Sequence, residues 1–167
     1  MIRGYSSSLI MMGIIVLVMV ISIITGCIDY QSSESTRGVI EEEVAVEIER
    51  LSSPKAEVRA RAAASLANIG DRATPAIPAL IGILDDDTQV YRSVSPVFPV
   101  GVSTSPGAEA AKALIKIGEP AIEPLIFALG DSNSNVRLAA AKILQDMTGQ
   151  DFGENRAKWQ EWWQQNR

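Results

Sequence analysis

The sequence has no histidine and only one cysteine. Without His there can be no Ser-His-Asp triad, no Cys-His pair and no imidazole-bound metal. With one Cys there is neither an intramolecular disulfide nor a Cys-rich zinc site. Aromatic residues are scarce, at 5% of 167. Basic residues are outnumbered, 15 Lys and Arg against 20 Asp and Glu. That balance argues against nucleic acid as a partner, because nucleic-acid binders present a basic face. No paired acid–base constellation stands out and no cofactor motif occurs, so the expectation is a non-catalytic chain without a cofactor.

The apolar residues are concentrated at the start. Sixteen uncharged residues run from Leu9 to Ile24, after a short segment whose only charged side chain is Arg3. A positive start, an apolar centre and small residues at the end make a secretory signal peptide. A spanning helix needs about 20 apolar residues, so an uncleaved transmembrane anchor is the alternative. Ile24-Thr25-Gly26-Cys27 resembles the lipobox of prokaryotic lipoproteins, in which the Cys thiol is diacylglycerated and the leader is cut just before it. The resemblance implies a signal peptide over 1–26, lipidation at Cys27, and an extracytoplasmic protein anchored to the cell envelope by its lipid. Residues 27–38 are then the lipidated Cys and a polar, Ser-rich tether.

Beyond the tether the chain repeats. Thr74-Pro75-Ala76-Ile77-Pro78-Ala79-Leu80-Ile81 is matched by Glu119-Pro120-Ala121-Ile122-Glu123-Pro124-Leu125-Ile126. Val58-Arg59, Ala62-Ala63, Leu66 and Ile69-Gly70 return as Ala110-Ala111, Leu114 and Ile117-Gly118, then as Val136-Arg137, Ala140-Ala141, Leu144 and Met147. Such periods mean a solenoid or array. Spacings of three and four, as in Ile40, Val44, Ile48 and Leu51, place the apolar residues on helical stripes. Pro75 and Pro120 suit the first turn of a helix and Gly70 and Gly118 its stop. Turns are expected near 52–56, 85–89 and 130–135. Asp85-Asp86-Asp87 lacks the alternating ligands and Gly of a calcium loop, and so reads as a solvated inter-helix turn.

These residues resemble HEAT repeats of the type named after the phycobilisome lyases, from about 39 to 149. The resemblance implies an all-α fold: a short HEAT-like α-solenoid of three helical hairpins. It implies a binding or scaffolding role, with a bilin-lyase-like enzyme or chaperone as the alternative. The family expects an Asp in each inter-helix turn. Asp86 and Asp131 match, but the first turn has Ser53 there, which leaves Arg59 without an acid in its own turn.

Two stretches depart from the repeat. Val58 to Ala62 and Val136 to Ala140 are four apart, whereas Val90 to Ala110 is twenty. The excess, 91–106, is apolar and carries Arg92 as its only charge. Pro96, Pro99 and Pro106 exclude a regular helix there, and its valines suggest extended chain. Long insertions in compact domains are often functional, so a protein partner is expected to engage Tyr91, Arg92 and Phe98, the aromatic and Arg types that dominate binding hot spots. An apolar flap folded onto adjacent helices is the alternative. At the other end, a helix over 155–164 holds Trp159, Trp162 and Trp163. This ending is similar to tails that close many bacterial HEAT-like proteins, and implies a cap over the last apolar face.

Overall fold

A computed structural model describes residues 38–93 and 101–167. Residues Glu42–Arg167 form one compact unit. The first helix, α1, runs over 38–50. It is followed by α2 (Ala56–Ile69), α3 (Ile77–Ile81), strands β1 (Val90–Ser93) and β2 (Gly101–Thr104), α4 (Pro106–Ile117), α5 (Ile122–Ala128), α6 (Ser134–Thr148) and α7 (Arg156–Asn166).

α3 pairs with α4 and α5 with α6, and turns separate α1 from α2, α3 from α4 and α5 from α6 where the periodicity places them. The second helix of each pair lies beside its counterpart in the next, α2 on α4 and α4 on α6, while α3 lies beside α5. Two rows of helices result, the arrangement of a HEAT-like repeat. The most extensive contact is α2 on α4. It is lined by Ala60, Ala62 and Ala63 on one helix and Ala110 and Ala113 on the other, all buried. Methyl side chains let the two backbones approach closely, and Leu66, Leu80, Leu114, Leu125 and Leu144 fill the core between the rows.

Gly70 and Gly118 end their helices at φ 70° and 82°, where a side chain would be strained. The prolines differ from expectation in detail. Pro75 lies inside a 3-10 segment, Gly70–Ala76, and Pro120 inside Glu119–Ala121, each one short step before the α-helix proper. A 3-10 lead-in tolerates the missing N–H as a first α-turn does.

The chain closes with α7. Trp159 is fully buried, donates from Nε1 to the Gly153 carbonyl at 2.8 Å, and meets the Phe152 ring edge-on at 4.9 Å. Trp162 and Trp163 are half-buried. Asn155 caps α7 by accepting from the Lys158 N–H at 3.1 Å.

Candidate functional site

The inter-helix turns share one bonding pattern along their edge. Arg59 Nη1 donates to the Ser53 carbonyl at 2.7 Å, and Nε donates to Asp86 Oδ2 at 2.7 Å. Arg137 repeats the pattern two repeats later: Nη1 donates to the Asp131 carbonyl at 3.0 Å, and Nε to Glu154 Oε2 at 2.7 Å. Each guanidinium ties its own turn by a carbonyl and the following turn by a carboxylate. Arg59 has no acid in its own turn, as Ser53 implies, but takes one from the next repeat, and residue 53 contributes its carbonyl to the contact. Glu154, in the lead-in to α7, plays for Arg137 the part that Asp86 plays for Arg59.

Asp86 is held in place by several donors. Partial burial pushes its carboxyl up, but hydrogen bonds from Thr88 and Arg59, with the Arg59 charge, outweigh burial and hold it below the usual carboxylate range. Its neighbour Asp85 accepts from Asn133 Nδ2 at 2.7 Å, joining the second turn to the third. The acidic run of the second turn is thus engaged in structural bonds.

The middle repeat breaks the pattern. Counting back from the Ala-Ala pair, the position of Arg59 and Arg137 is taken by Gly107. Its own N–H donates to the Asp86 carbonyl at 2.9 Å, replacing the guanidinium bond to the equivalent carbonyl. A Cβ here would lie 2.6 Å from the Leu84 carbonyl oxygen and 3.0 Å from that of Asp86. The start of α4 is pressed directly onto the turn, and only glycine fits. Sequence reasoning missed this position, although aligning Arg59, Gly107 and Arg137 would have exposed the exchange.

The hairpin β1–β2 emerges where the stapling Arg is missing. Its strands pair antiparallel, Val90 with Thr104 through Ser93 with Gly101, so the insertion is extended chain for its described part. The base is anchored: Val90 is buried, and Thr104 Oγ1 donates to Glu109 at 2.7 Å. Glu109, itself buried, also accepts from Lys112 Nζ at 2.9 Å. Ser105 caps α4, and Pro106 is buried in its first turn. The last residues of the expected insertion 91–106 are therefore part of the helical frame.

Tyr91 is 66% exposed on β1 and lines a shallow cleft at the hairpin base with Glu57 and Arg61. Arg92 pairs through its backbone with Val102. Phe98 and Cys27 lie outside the described residues. Among the described residues no helix is long and apolar enough to cross a membrane, and no group of His, Cys, Asp and Glu is placed to hold a metal ion.

The family model for the PBS lyase HEAT-like repeat matches residues 58–86 and 108–131. The two matched stretches bracket the hairpin, and the second resumes immediately after Gly107. These two stretches are thus similar to HEAT-like repeats, an architecture that generally mediates protein binding. No curated protein matches the chain.

Proposed function

We propose that the chain is a lipid-anchored, non-catalytic interaction module of a prokaryotic cell envelope. Cys27 holds it outside the cytoplasm, and the hairpin of its middle repeat captures a protein partner. The anchor rests on the leader and the Ile24-Thr25-Gly26-Cys27 site. The docking role rests on one observation above all: the middle repeat gives up its stapling Arg for Gly107, and a hairpin with exposed Tyr91 stands at that place. Tyr91, Arg92 and Phe98 are the proposed contacts. A short solenoid recognises partners by its edges and faces rather than by a deep pocket, and a projecting hairpin supplies such an edge.

The test keeps the base intact. Residues 92–102 are replaced by a short Gly/Ser link that leaves Val90, Tyr91 and Thr104 in place. The expected result is an unchanged helical circular dichroism spectrum and melting temperature, with loss of partner capture from solubilised envelopes. Capture by the folded deletion variant would overturn the docking role. Covalent transfer of a bilin to an acceptor protein by the purified chain would overturn the non-catalytic reading.

A further inference from the structure

The cap helix leaves a groove of about 310 Å³ against α5, lined by Glu123, Ile126, Phe127, Arg156, Trp163 and Arg167 among others. Phe127 is 72% exposed, the most exposed large apolar side chain among the described residues. Arg156 stacks over its ring, with the guanidinium carbon 4.9 Å from the ring centroid. The guanidinium also lies against Gly130, where a Cβ would come within 2.9 Å of Nη1. The missing side chain at 130 and the ring of 127 together seat the cation.

Arg156 is nevertheless unpaired. Among the described residues it donates to no acceptor, and unlike the other arginines without an ion pair it has a buried Nε. Two buried side-chain nitrogens in the described chain lack an acceptor, Arg156 Nε and Trp163 Nε1, and both residues line this one groove. Buried donors are ordinarily satisfied, so two in one place call for an explanation. Two cations, Arg156 and Arg167, line the groove against one acid, Glu123. The first turn of α7 contains Arg156 and Lys158 and no acid, the reverse of the usual preference at the positive end of a helix.

We propose that this groove binds an acidic, apolar peptide segment of a partner protein, with a carboxylate on Arg156 and a neighbouring apolar side chain on Phe127. A guanidinium offers paired donors that match a carboxylate, and Arg156 Nε, buried without an acceptor, gains one only if its side chain shifts as the peptide binds. A phosphate ion matches the charge but leaves the exposed ring and the Ile126–Trp163 wall uncovered. The repulsion an acidic partner meets from the rest of this acidic chain is screened beyond about 8 Å at physiological salt, so the basic start of α7 selects where it lands. The surface is separate from the hairpin, and its occupation does not depend on the hairpin's role.

The test uses the full chain in detergent and follows Trp fluorescence and the indole N–H resonance of Trp163. The probes are an acetylated peptide with one Glu between leucines, its Gln counterpart, inorganic phosphate, and vesicles of phosphatidylglycerol. The Glu peptide is expected to bind about tenfold more tightly than the Gln peptide, a factor equivalent to about 1.4 kcal/mol. Arg156→Gln should abolish that preference. Gly130→Ala, which keeps every charge but displaces the guanidinium, should weaken it. Phe127→Ala, at an exposed position where folding is not at stake, should weaken both peptides. Equal binding of Glu and Gln peptides, no peptide binding at millimolar concentration, or a preference unchanged by Arg156→Gln overturns the proposal. A Trp163 shift with phosphate or phosphatidylglycerol that Arg156→Gln abolishes, with none from the Glu peptide, overturns it equally.

Discussion

Arg59 and Asp86 are 27 residues apart in sequence, yet the guanidinium of one lies 2.6 Å from the carboxylate of the other. Both side chains are largely shielded from water, at 18% and 14% exposure. The bond runs from the second helix of one repeat to the turn of the next, and so reports the stacking of repeats rather than the folding of either. Its counterpart, Arg137 with Glu154, joins the last repeat to the cap and is more open, at 30% and 40%.

The two contacts should therefore differ in strength. Removing Arg59 with Ala leaves the shielded Asp86 carboxylate short of donors and should cost about 2–3 kcal/mol in urea unfolding, since hydrogen bonds to charged groups are worth that much. A double-mutant cycle on Arg137 and Glu154 should give at most about 1 kcal/mol, as for exposed pairs. A larger coupling at the outer pair would contradict the ranking.

Acid should weaken the Arg59 contact in a defined direction. The Asp86 carboxyl is depressed in the folded chain, so the unfolded chain, with a carboxyl near 3.9, takes up its proton first as pH falls. The stabilisation is complete above the unfolded value and is lost as pH drops through the folded one. Urea midpoints measured between about pH 5 and pH 3 should fall more steeply for the wild type than for Asp86→Asn. Parallel slopes would show that Asp86 contributes nothing to the acid response.

Gly107 and Gly118 are glycines for different reasons, and Ala separates them. Gly107→Ala drives a methyl into backbone oxygens that cannot move aside and should cost about 3 kcal/mol, the upper range for overpacking. At Gly118 a Cβ meets open space, but φ 82° with ψ -143° is a conformation essentially reserved for glycine, so its Ala variant carries backbone strain alone, about 1–3 kcal/mol. Thermal unfolding of the two variants checks the order.

The cap should be part of the cooperative unit. Trp159 is fully buried, and Trp159→Ala should cost about 3–5 kcal/mol, the range for emptying a large aromatic site. Truncation after Gly149 should lower the melting temperature of the whole domain. If truncation left it unchanged, α7 would be an appended helix.

Cys27→Ser should leave the leader uncleaved and the chain without lipid. Mass spectrometry of the N-terminal peptide from membranes reads both outcomes. An unlipidated, uncleaved wild-type chain would refute the anchor.

The helical repeat was legible in the sequence because its determinants are local. Apolar residues at three- and four-residue spacing select helices, Gly70 and Gly118 stop them, and Ala-rich second helices permit close packing wherever they meet. Extended chain was expected for the insertion, and its described residues 91–93 and 101–104 are strand. Tertiary structure alone decided which groups meet across the stack. Arg59 takes its acid from a turn 27 residues away, because side-chain pairing depends on the distance between stacked turns, a quantity no local spacing encodes. Gly107 likewise looks like a loop residue until α4 is laid on the Asp86 carbonyl. Phe127, Arg156 and Trp163 form one groove because α7 folds back onto α5. Their separation in sequence hides that contact, and only packing brings the unpaired cation and the exposed ring together.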